Sequence, residues 1–170
     1  MAVRPAIEED ISELARVQTA SWAQTYTGLI SESIFELMTV ERRVQMYRWY
    51  FDNQPDRNSL LIAEDSDEVV GMAWSGPNRD EDISSEGAGE LFAIYVDPPH
   101  WGEGHGKALM ASALDEMRTL GFGLATLWVL DTNERGRSFY DRGGWQLDGA
   151  VKLDDSYGDP IREVRYRRDL

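Results

Sequence analysis

The clearest chemical pattern in this sequence is a set of three glycines separated by single polar residues. Gly102, Gly104 and Gly106 follow an apolar run (91–96) that ends at a proline pair, and apolar residues at helical spacing come after them. Small residues let the main chain approach a ligand closely, and the N–H groups that open a helix face negative oxygens. The pattern predicts a phosphate-bearing ligand held by main chain, or else a flexible loop without a ligand.

Two common phosphate-binding templates do not fit this turn. A P-loop requires Ser or Thr after Gly106 and Lys107, where Ala108 stands, and it requires glycine at the position of Trp101. The dinucleotide fingerprint would need its third glycine at position 107, which is lysine. The ligand predicted from the glycines therefore belongs to neither class of site.

The segment 101–109, Trp-Gly-Glu-Gly-His-Gly-Lys-Ala-Leu, resembles the pyrophosphate loop of the GCN5-related N-acetyltransferases (GNAT). That loop usually reads Gln or Arg, two residues, Gly, any residue, and then Gly or Ala. Gly104 and Gly106 match its glycines. Trp101 departs from its first position, which affects one side-chain contact and leaves the main-chain cradle intact.

A second segment, 133–145, resembles the later motif of the same family. There an Asn is followed by a small residue, Phe-Tyr, an acidic–basic pair, and Gly with an aromatic residue. Gly136, Gly143 and Trp145 replace the usual Ala, apolar residue and Phe. Two motifs in the family's order are more specific than either alone, and the resemblance covers most of the chain, most strongly 60–145.

The resemblance implies acetyl-CoA as cofactor, with main-chain N–H groups of 102–108 on the pyrophosphate. The pantetheine arm is expected to pair with the strand 91–96, and a β-bulge there, at Ile94 or Tyr95, is expected to supply an N–H for the oxyanion. Arg135 and Arg137 either reach the 3′-phosphate or lie on a solvated helix face. The expected cofactor contacts are Ile94, Tyr95, Val96, Trp101, Gly102, Glu103, Gly104, His105, Gly106, Lys107, Ala108, Asn133 and Arg137.

Two residues are candidates for proton transfer, which the reaction needs because an alkylamine of pKa about 10.4 is mostly protonated at neutral pH. The family's Tyr in the Phe-Tyr pair lies beside the cofactor sulfur, so Tyr140 is the candidate general acid, or else a core aromatic. Family members often carry a Glu at the start of the central strand. Glu90 is therefore the candidate general base, acting directly or through water, or else a solvated acid at the strand entry.

The acceptor is expected to be the primary amine of a small molecule. The resemblance places the first two helices over the open end of the sheet, so Trp22, Tyr26 and Leu29 either line the acceptor pocket or pack between helices. The alternatives are a protein N-terminus or lysine as acceptor, or a non-catalytic acyl-CoA-binding or sensing protein. Because the chain lacks cysteine, the acetyl group is expected to pass directly in a ternary complex.

Composition narrows the partners and the setting. With 170 residues and a formal charge of −14, the chain is expected to be a single domain, residues 1–170, that does not bind nucleic acid. The charge suits a cationic acceptor, or solubility alone. We expect no membrane span, a cytoplasmic location, a possible homodimer and no metal, since His100 and His105 have no partner at metal-ligand spacing.

The periodicity predicts an α/β protein with a central mixed sheet flanked by helices on both faces. The resemblance to the GNAT family implies that this is the acyl-CoA N-acyltransferase fold. The element order is strand, two helices, three strands, helix, strand, helix and two strands. The second helix is expected to continue or restart before Pro55, and a turn is expected at 157–160. The predicted strands are 3–6, 59–64, 68–76, 91–96, 124–130, 145–151 and 160–167, and the predicted helices lie within 10–28, 31–55, 106–121 and 133–142.

Overall fold

The structure is a computed structural model that describes residues 1–155 and 160–170. Most of the turn expected at 157–160 lies outside these ranges. The α-helices are α1 (Ile11–Tyr26), α2 (Glu32–Leu37), α3 (Val40–Asn53), α4 (His105–Thr119) and α5 (Glu134–Arg142). The strands are β1 (Ala2–Pro5), β2 (Ser59–Asp65), β3 (Glu68–Pro77), β4 (Ala88–Val96), β5 (Leu124–Leu130), β6 (Gln146–Asp154) and β7 (Ile161–Asp169).

The strands form one mixed sheet in the order β1-β2-β3-β4-β5-β7-β6. β4 and β5 run parallel, and every other neighbouring pair is antiparallel. The helix α4 makes the crossover between the two parallel strands, as their apolar sequences predict. The predicted α/β fold, a mixed sheet covered by helices on both faces, is confirmed.

Each face of the sheet has its own buried core. On one face, Leu109 and Met117 of α4 are fully buried among strand residues. On the other face, Leu14 and Val17 of α1 pack with Tyr47 of α3. Apolar residues three and four apart bury one stripe of each helix, which holds both layers against the sheet.

The region expected to hold one continued or restarted helix contains two. α2 ends at Leu37, and Thr39 caps α3 by accepting a hydrogen bond from the Arg42 N–H at 3.3 Å. Among the helices that the structure describes, none has the length and apolar character needed to cross a membrane.

The feature that shapes the site is the short pairing between β4 and β5. The two strands pair at three positions, the last of which joins Glu90 to Thr126. β4 then continues to Val96 and β5 to Leu130 without further pairing between them. The strands therefore leave a gap at their carboxyl ends, which is where an open α/β sheet forms its ligand crevice.

A bulge in β4 lies where the strands part. The register between β3 and β4 shifts between Trp74 and Ser75, which leaves Phe92 as the extra residue. A bulge bends the strand and increases its local twist. The bulge that was expected at Ile94 or Tyr95 is therefore at Phe92. The sequence does not reveal this bulge, because residues on both faces of the strand are hydrophobic and show no alternation.

Arg165 of β7 ties the β3–β4 loop to the sheet. Its side chain is 6% exposed, and it contacts the carboxylates of Asp80, Asp82 and Asp148 at 2.7–2.9 Å. Asp80 also accepts a hydrogen bond from Trp128 Nε1 at 3.0 Å. The cluster fixes this acidic loop over the middle of β5, beside the gap.

Replacing Arg165 with Met should destabilise the protein by about 3–5 kcal/mol, because three carboxylates would stay together without their cation. Denaturant unfolding measures this loss. Arg167→Met is the control, since Arg167 is 48% exposed and its partner Asp169 lies 4.0 Å away. The control should change stability by less than about 0.5 kcal/mol. Equal losses in the two variants would show that the Arg165 cluster does not hold the loop.

Candidate active site

A cavity of about 630 Å³, here called the first cavity, occupies the gap between β4 and β5. Its walls come from both faces of the sheet, with Tyr26 of α1 on one and Phe139 and Tyr140 of α5 on the other. Its size is typical of cofactor sites. Ten residues expected at the cofactor line it: Ile94, Tyr95, Val96, Trp101, Gly102, Gly104, His105, Gly106, Lys107 and Asn133.

The edge of β4 that faces the gap offers main-chain groups to a ligand. The Asp97 N–H donates to the Val70 carbonyl of β3 at 2.8 Å, and main-chain groups alternate in direction along a strand. Ile94 and Val96 therefore direct their N–H and C=O groups into the gap. The Val96 carbonyl accepts from Trp101 Nε1 at 2.6 Å, which leaves the other three groups for an extended ligand.

The turn before α4 presents six successive main-chain N–H groups. Gly102 and Gly104 have φ angles of +91° and +97°, which glycine adopts readily and other residues do not. Within the described residues, no N–H of 102–107 donates to a protein acceptor. Because α4 starts at His105, its dipole adds to these amides. The turn is thus built to accept an anion.

Three residues expected at the cofactor lie outside this cavity. The Ala108 N–H donates to the Gly104 carbonyl at 3.1 Å within the first turn of α4, so the expected run of free amides ends one residue earlier. Arg137 donates to the main-chain carbonyl of Asp131 at 2.9 Å and to its carboxylate at 3.0 Å. Glu103 is the third, and its side chain contacts two histidines instead.

Glu103 joins His100 and His105 in a compact cluster. One of its carboxylate oxygens lies 3.1 Å from His100 Nδ1 and 3.3 Å from His105 Nε2. The expectation that neither histidine has a partner at metal-ligand spacing is therefore wrong, because three possible ligand atoms lie within 4.8 Å of one another. The same contacts are ordinary for a carboxylate beside two imidazoles. Both histidines line the first cavity, whereas Glu103 itself does not.

Arg135 supplies positive charge at the mouth of the first cavity. Its guanidinium carbon lies 3.7 Å from the centre of the Trp101 ring, a cation–π contact, and both residues line the cavity. Trp101 is held in turn by its bond to Val96. Of the two arginines considered from the sequence, Arg135 is thus the one that faces the cavity, while Arg137 is paired with Asp131.

Three tyrosines and an asparagine surround the middle of the first cavity. Tyr140 is half-buried, and removal of its hydroxyl from water, with smaller effects of Tyr95 and Tyr166, raises its pKa well above the usual range. Burial likewise raises the pKa of Tyr26, which a hydrogen bond with Asn133 opposes. Both hydroxyls therefore keep their protons at neutral pH and can donate hydrogen bonds.

Glu90 lies in a second cavity of about 460 Å³, on the far side of the same gap. Its side chain is 3% exposed, so the expectation of a solvated acid is wrong. Arg79 donates to both carboxylate oxygens of Glu90, from Nη2 at 2.6 Å and from Nε at 3.1 Å. The contact with Glu90 raises the pKa of Arg79. Both oxygens of this carboxylate are therefore already hydrogen-bonded to a guanidinium, which opposes its acceptance of a proton.

The residues expected at an acceptor pocket are divided between lining and packing. Tyr26 lines the first cavity. Trp22 is buried and packs on Tyr26 and Phe35, with ring centres 4.8 and 5.0 Å apart. Leu29 is 40% exposed and, with Trp22, lines neither cavity. The structure thus brings one of the three to the gap.

The residues of the second cavity carry no motif in the sequence. Arg79 lies in the β3–β4 loop, Trp128 on β5, Lys152 on β6 and Glu163 on β7. Lys152 and Glu163 are direct cross-strand neighbours, and their side chains form an ion pair at 3.1 Å. Only the strand register could have indicated this pair, and the register follows from the fold rather than from local sequence.

Comparison with known proteins identifies the family. The acetyltransferase (GNAT) family model matches residues 21–145. A protein of Archaeoglobus fulgidus named an uncharacterized N-acetyltransferase is 30% identical over 141 residues, which is 82% of this chain and 89% of that protein. A mycothiol acetyltransferase of Acidimicrobium ferrooxidans is 34% identical over 93 residues, which is 55% of this chain and 29% of that protein.

Solved structures share the fold. The PaiA N-acetyltransferase of Thermoplasma acidophilum, in complex with coenzyme A, superposes with a TM-score of 0.71 at 22% identity, covering 99% of this chain and 98% of that one. YncA of Salmonella typhimurium, solved with acetyl-CoA, gives a TM-score of 0.76 at 19% identity, covering 100% and 94%. With the family match, the open β4 edge and the amide-lined turn, these findings show that the chain belongs to the GNAT acetyltransferase family and is an acetyl-CoA-dependent N-acetyltransferase.

Proposed function

We propose that the protein transfers the acetyl group of acetyl-CoA to the primary amine of a small molecule, by direct attack with both substrates bound. The observation that carries this proposal is that the two cavities share lining residues. Leu91, Phe92 and Trp128 line both of them. A donor in the first cavity and an acceptor in the second would therefore lie against the same residues, and such proximity is what direct transfer needs.

The first cavity is suited to the donor, whose thioester supplies an activated acetyl group when bound. The amides of 102–107 would hold the diphosphate, and the open groups of Ile94 and Val96 would pair with the extended arm. Arg135, held on Trp101, would add a charge-assisted contact to a phosphate. The grip on the donor is therefore mostly main chain, with one stacked guanidinium beside it.

Transfer forms one C–N bond on the acceptor and breaks one C–S bond on the donor, and the nitrogen loses a proton while the sulfur gains one. We assign Tyr140 to the sulfur. It lines the first cavity, and its hydroxyl is protonated at neutral pH, so it can give the thiolate a proton. Tyr26 lines the same cavity, and its hydrogen bond with Asn133 acts to lower its pKa, which means that its oxygen accepts; its hydroxyl is therefore the second candidate for proton donation.

Glu90 keeps its predicted role as the base only if Arg79 moves or a water relays the proton. Both of its oxygens accept from Arg79, and it lines the second cavity, where the amine would enter. As the base, Glu90 would therefore act from the acceptor side of the gap, and the position of Arg79 would decide whether its carboxylate can take the proton.

A small acceptor is favoured by the shape and chemistry of the second cavity. It is a cavity of about 460 Å³ that carries charges of both signs. The relatives that match part of this chain include proteins named mycothiol acetyltransferases, a name that denotes a small-molecule acceptor. The chain has no cysteine, so no thiol of its own can carry the acetyl group between substrates.

The decisive experiment measures thiol release from acetyl-CoA across a panel of small amines, lysine-bearing peptides and peptides with free N-termini. Sustained turnover with small amines supports the proposal. Preference for a peptide would replace the acceptor class, and tight binding of CoA without turnover on any amine would favour an acyl-CoA sensor.

Gly104→Ala should weaken CoA binding by about tenfold or more, because an L-residue resists the φ of +97° that aims the amides at the ligand. Gly149→Ala is the matched control, since Gly149 has a φ of +90° and an added Cβ meets nothing within 4 Å at either position. Calorimetric titration with CoA reads the affinity, and denaturant unfolding should show similar stability losses of about 1–2 kcal/mol in both. Equal CoA affinities would refute the amide cradle.

Tyr140→Phe should lower kcat by at least about 10²-fold, which is the usual contribution of a general acid to the rate. The affinity for CoA should stay close to that of the parent. Steady-state kinetics with the best amine gives kcat, and Tyr50→Phe on α3, which does not line the first cavity, serves as control. Turnover that matches the control would remove Tyr140 from proton transfer.

The Glu90 hypothesis predicts a change in pH dependence rather than a simple loss of rate. If Glu90 takes the proton from the amine, Glu90→Gln should lower kcat/KM and remove the enzyme's own ionisation from its pH profile, leaving the rise that follows ionisation of the amine. A variant that keeps the parent's profile rules out Glu90 as the base.

A further inference from the structure

The second cavity orders its charges by depth. The side chain of Glu90 is 3% exposed and that of Glu163 is 18% exposed, whereas Lys152 is 40% exposed and Arg79 is 65% exposed. The carboxylates therefore lie inside, and the cations stand at the rim. Of the residues that line both cavities, Leu91 is buried and directly follows Glu90 in β4, so the inner end of the second cavity lies beside the first cavity.

The two cations at the rim are held in place and have hydrogen-bond donors to spare. The Arg79 guanidinium carbon lies 4.2 Å from the centre of the Phe92 ring, and Lys152 Nζ lies 4.6 Å from the Trp128 ring. Arg79 gives Nε and Nη2 to Glu90, and its Nη1 has no acceptor in the described part of the chain. Lysine carries three donors, and Lys152 has one carboxylate partner among the described residues. Two fixed cations with open donors recognise an anionic group.

The inner acids suit the opposite charge. One oxygen of Glu163 contacts Lys152, and the other has no partner among the residues that the structure describes. An ammonium group at the inner end would gain hydrogen bonds to this oxygen. Asp80 also lines this cavity, but its carboxylate is paired with Arg165. With two cations outside and the carboxylates of Glu90 and Glu163 inside, the cavity is complementary to a ligand that carries one charge of each sign, its cation entering first.

We propose that the acceptor is an amine that also carries a carboxylate, such as a free amino acid, with its ammonium group towards Glu163 and Glu90 and its carboxylate on Arg79 and Lys152. This inference rests on the proposed function and specifies its substrate class. The bound ammonium first gives one proton to a base or to water. The neutral amine then forms the C–N bond to the acetyl carbon as the C–S bond of the thioester breaks, and its second proton is balanced by the one that the departing sulfur gains, while the acceptor's carboxylate is unchanged. Polyamines and lysine side chains lack the anionic group and leave the rim cations unused.

The test compares glycine, L-alanine and L-phenylalanine with their α-amides as acceptors. An amino acid amide resembles a peptide α-amine, with a pKa of about 7.7–8.0, so it is more deprotonated at neutral pH and intrinsically readier to react. We nevertheless expect kcat/KM to favour the acids by at least about tenfold. Equal values, or preference for the amides, putrescine or a lysine-bearing peptide, would overturn the assignment.

A charge variant and its control connect any preference to the rim. Lys152→Gln should bring the acid-to-amide ratio of kcat/KM close to one. Arg118→Gln is the control, because Arg118 is 43% exposed and paired with Asp115 on the outer surface of α4, away from either cavity. It should keep the parent's ratio. A ratio that survives in Lys152→Gln would contradict the proposed carboxylate contact.

A binding measurement separates this inference from the proposed function. N-acetyl-L-phenylalanine and its amide are titrated by calorimetry into the parent and Lys152→Gln proteins, each saturated with CoA. Tighter binding of the acid, lost in the variant, supports the charge pattern even if no amine is turned over, and that failure would count against the proposed function alone. Equal binding of acid and amide would overturn the inference whatever the turnover.

Discussion

The site depends on one departure from regular structure, the early end of pairing between β4 and β5. Three paired positions hold the two strands together, and beyond Glu90 they separate although both continue. The sheet tolerates the gap because each strand keeps an antiparallel neighbour on its other side, β3 for β4 and β7 for β5. The gap exposes a main-chain edge and forms two cavities with a shared wall. Corresponding residues in the rest of the sheet only pair with neighbouring strands and pack in the core.

On the donor side of the gap, the negative charge of the ligand is harder to accommodate than its shape. A chain with a formal charge of −14 must bind a ligand with several phosphate charges, and its turn carries an acid of its own. Three local arrangements reduce the conflict. Glu103 is directed to two imidazoles, Arg135 is stacked over Trp101 at the cavity mouth, and the start of α4 contributes its dipole. The net charge of a protein thus says little about the potential within one of its clefts.

Much of the fold and of the donor site could be predicted from the sequence, because the signals are local. These signals lie within about 40 residues: the apolar runs of β4 and β5, the helical spacing of α4 and the glycines before it. The resemblance to the GNAT family rests in part on the same segment. The bulge at Phe92 was missed because a strand that is apolar on both faces carries no alternation for an extra residue to break. Ala108 was assigned a free amide that the first turn of α4 uses.

The acceptor side could not be predicted, because its residues meet only through topology. Arg79, Lys152 and Glu163 come from a loop and two later strands, and each alone is a charged residue on a polar surface. Glu90 was identified by position, but its partner was not. The guanidinium of Arg79 is eleven residues earlier in the sequence, on the β3–β4 loop, which Arg165 and Asn78 tie to the sheet.

The six amides of the turn that opens α4 have a consequence for how this protein tolerates mutation. Because every residue except proline has the same N–H group, side chains along the turn can change without removing a donor, provided that the two left-handed glycines remain. Alanine substitutions confined to the non-glycine residues of this segment would therefore leave its donors in place and underestimate its contribution to binding. The same freedom accounts for a family member whose loop has exchanged its usual first residue for tryptophan while keeping the backbone shape that the ligand needs.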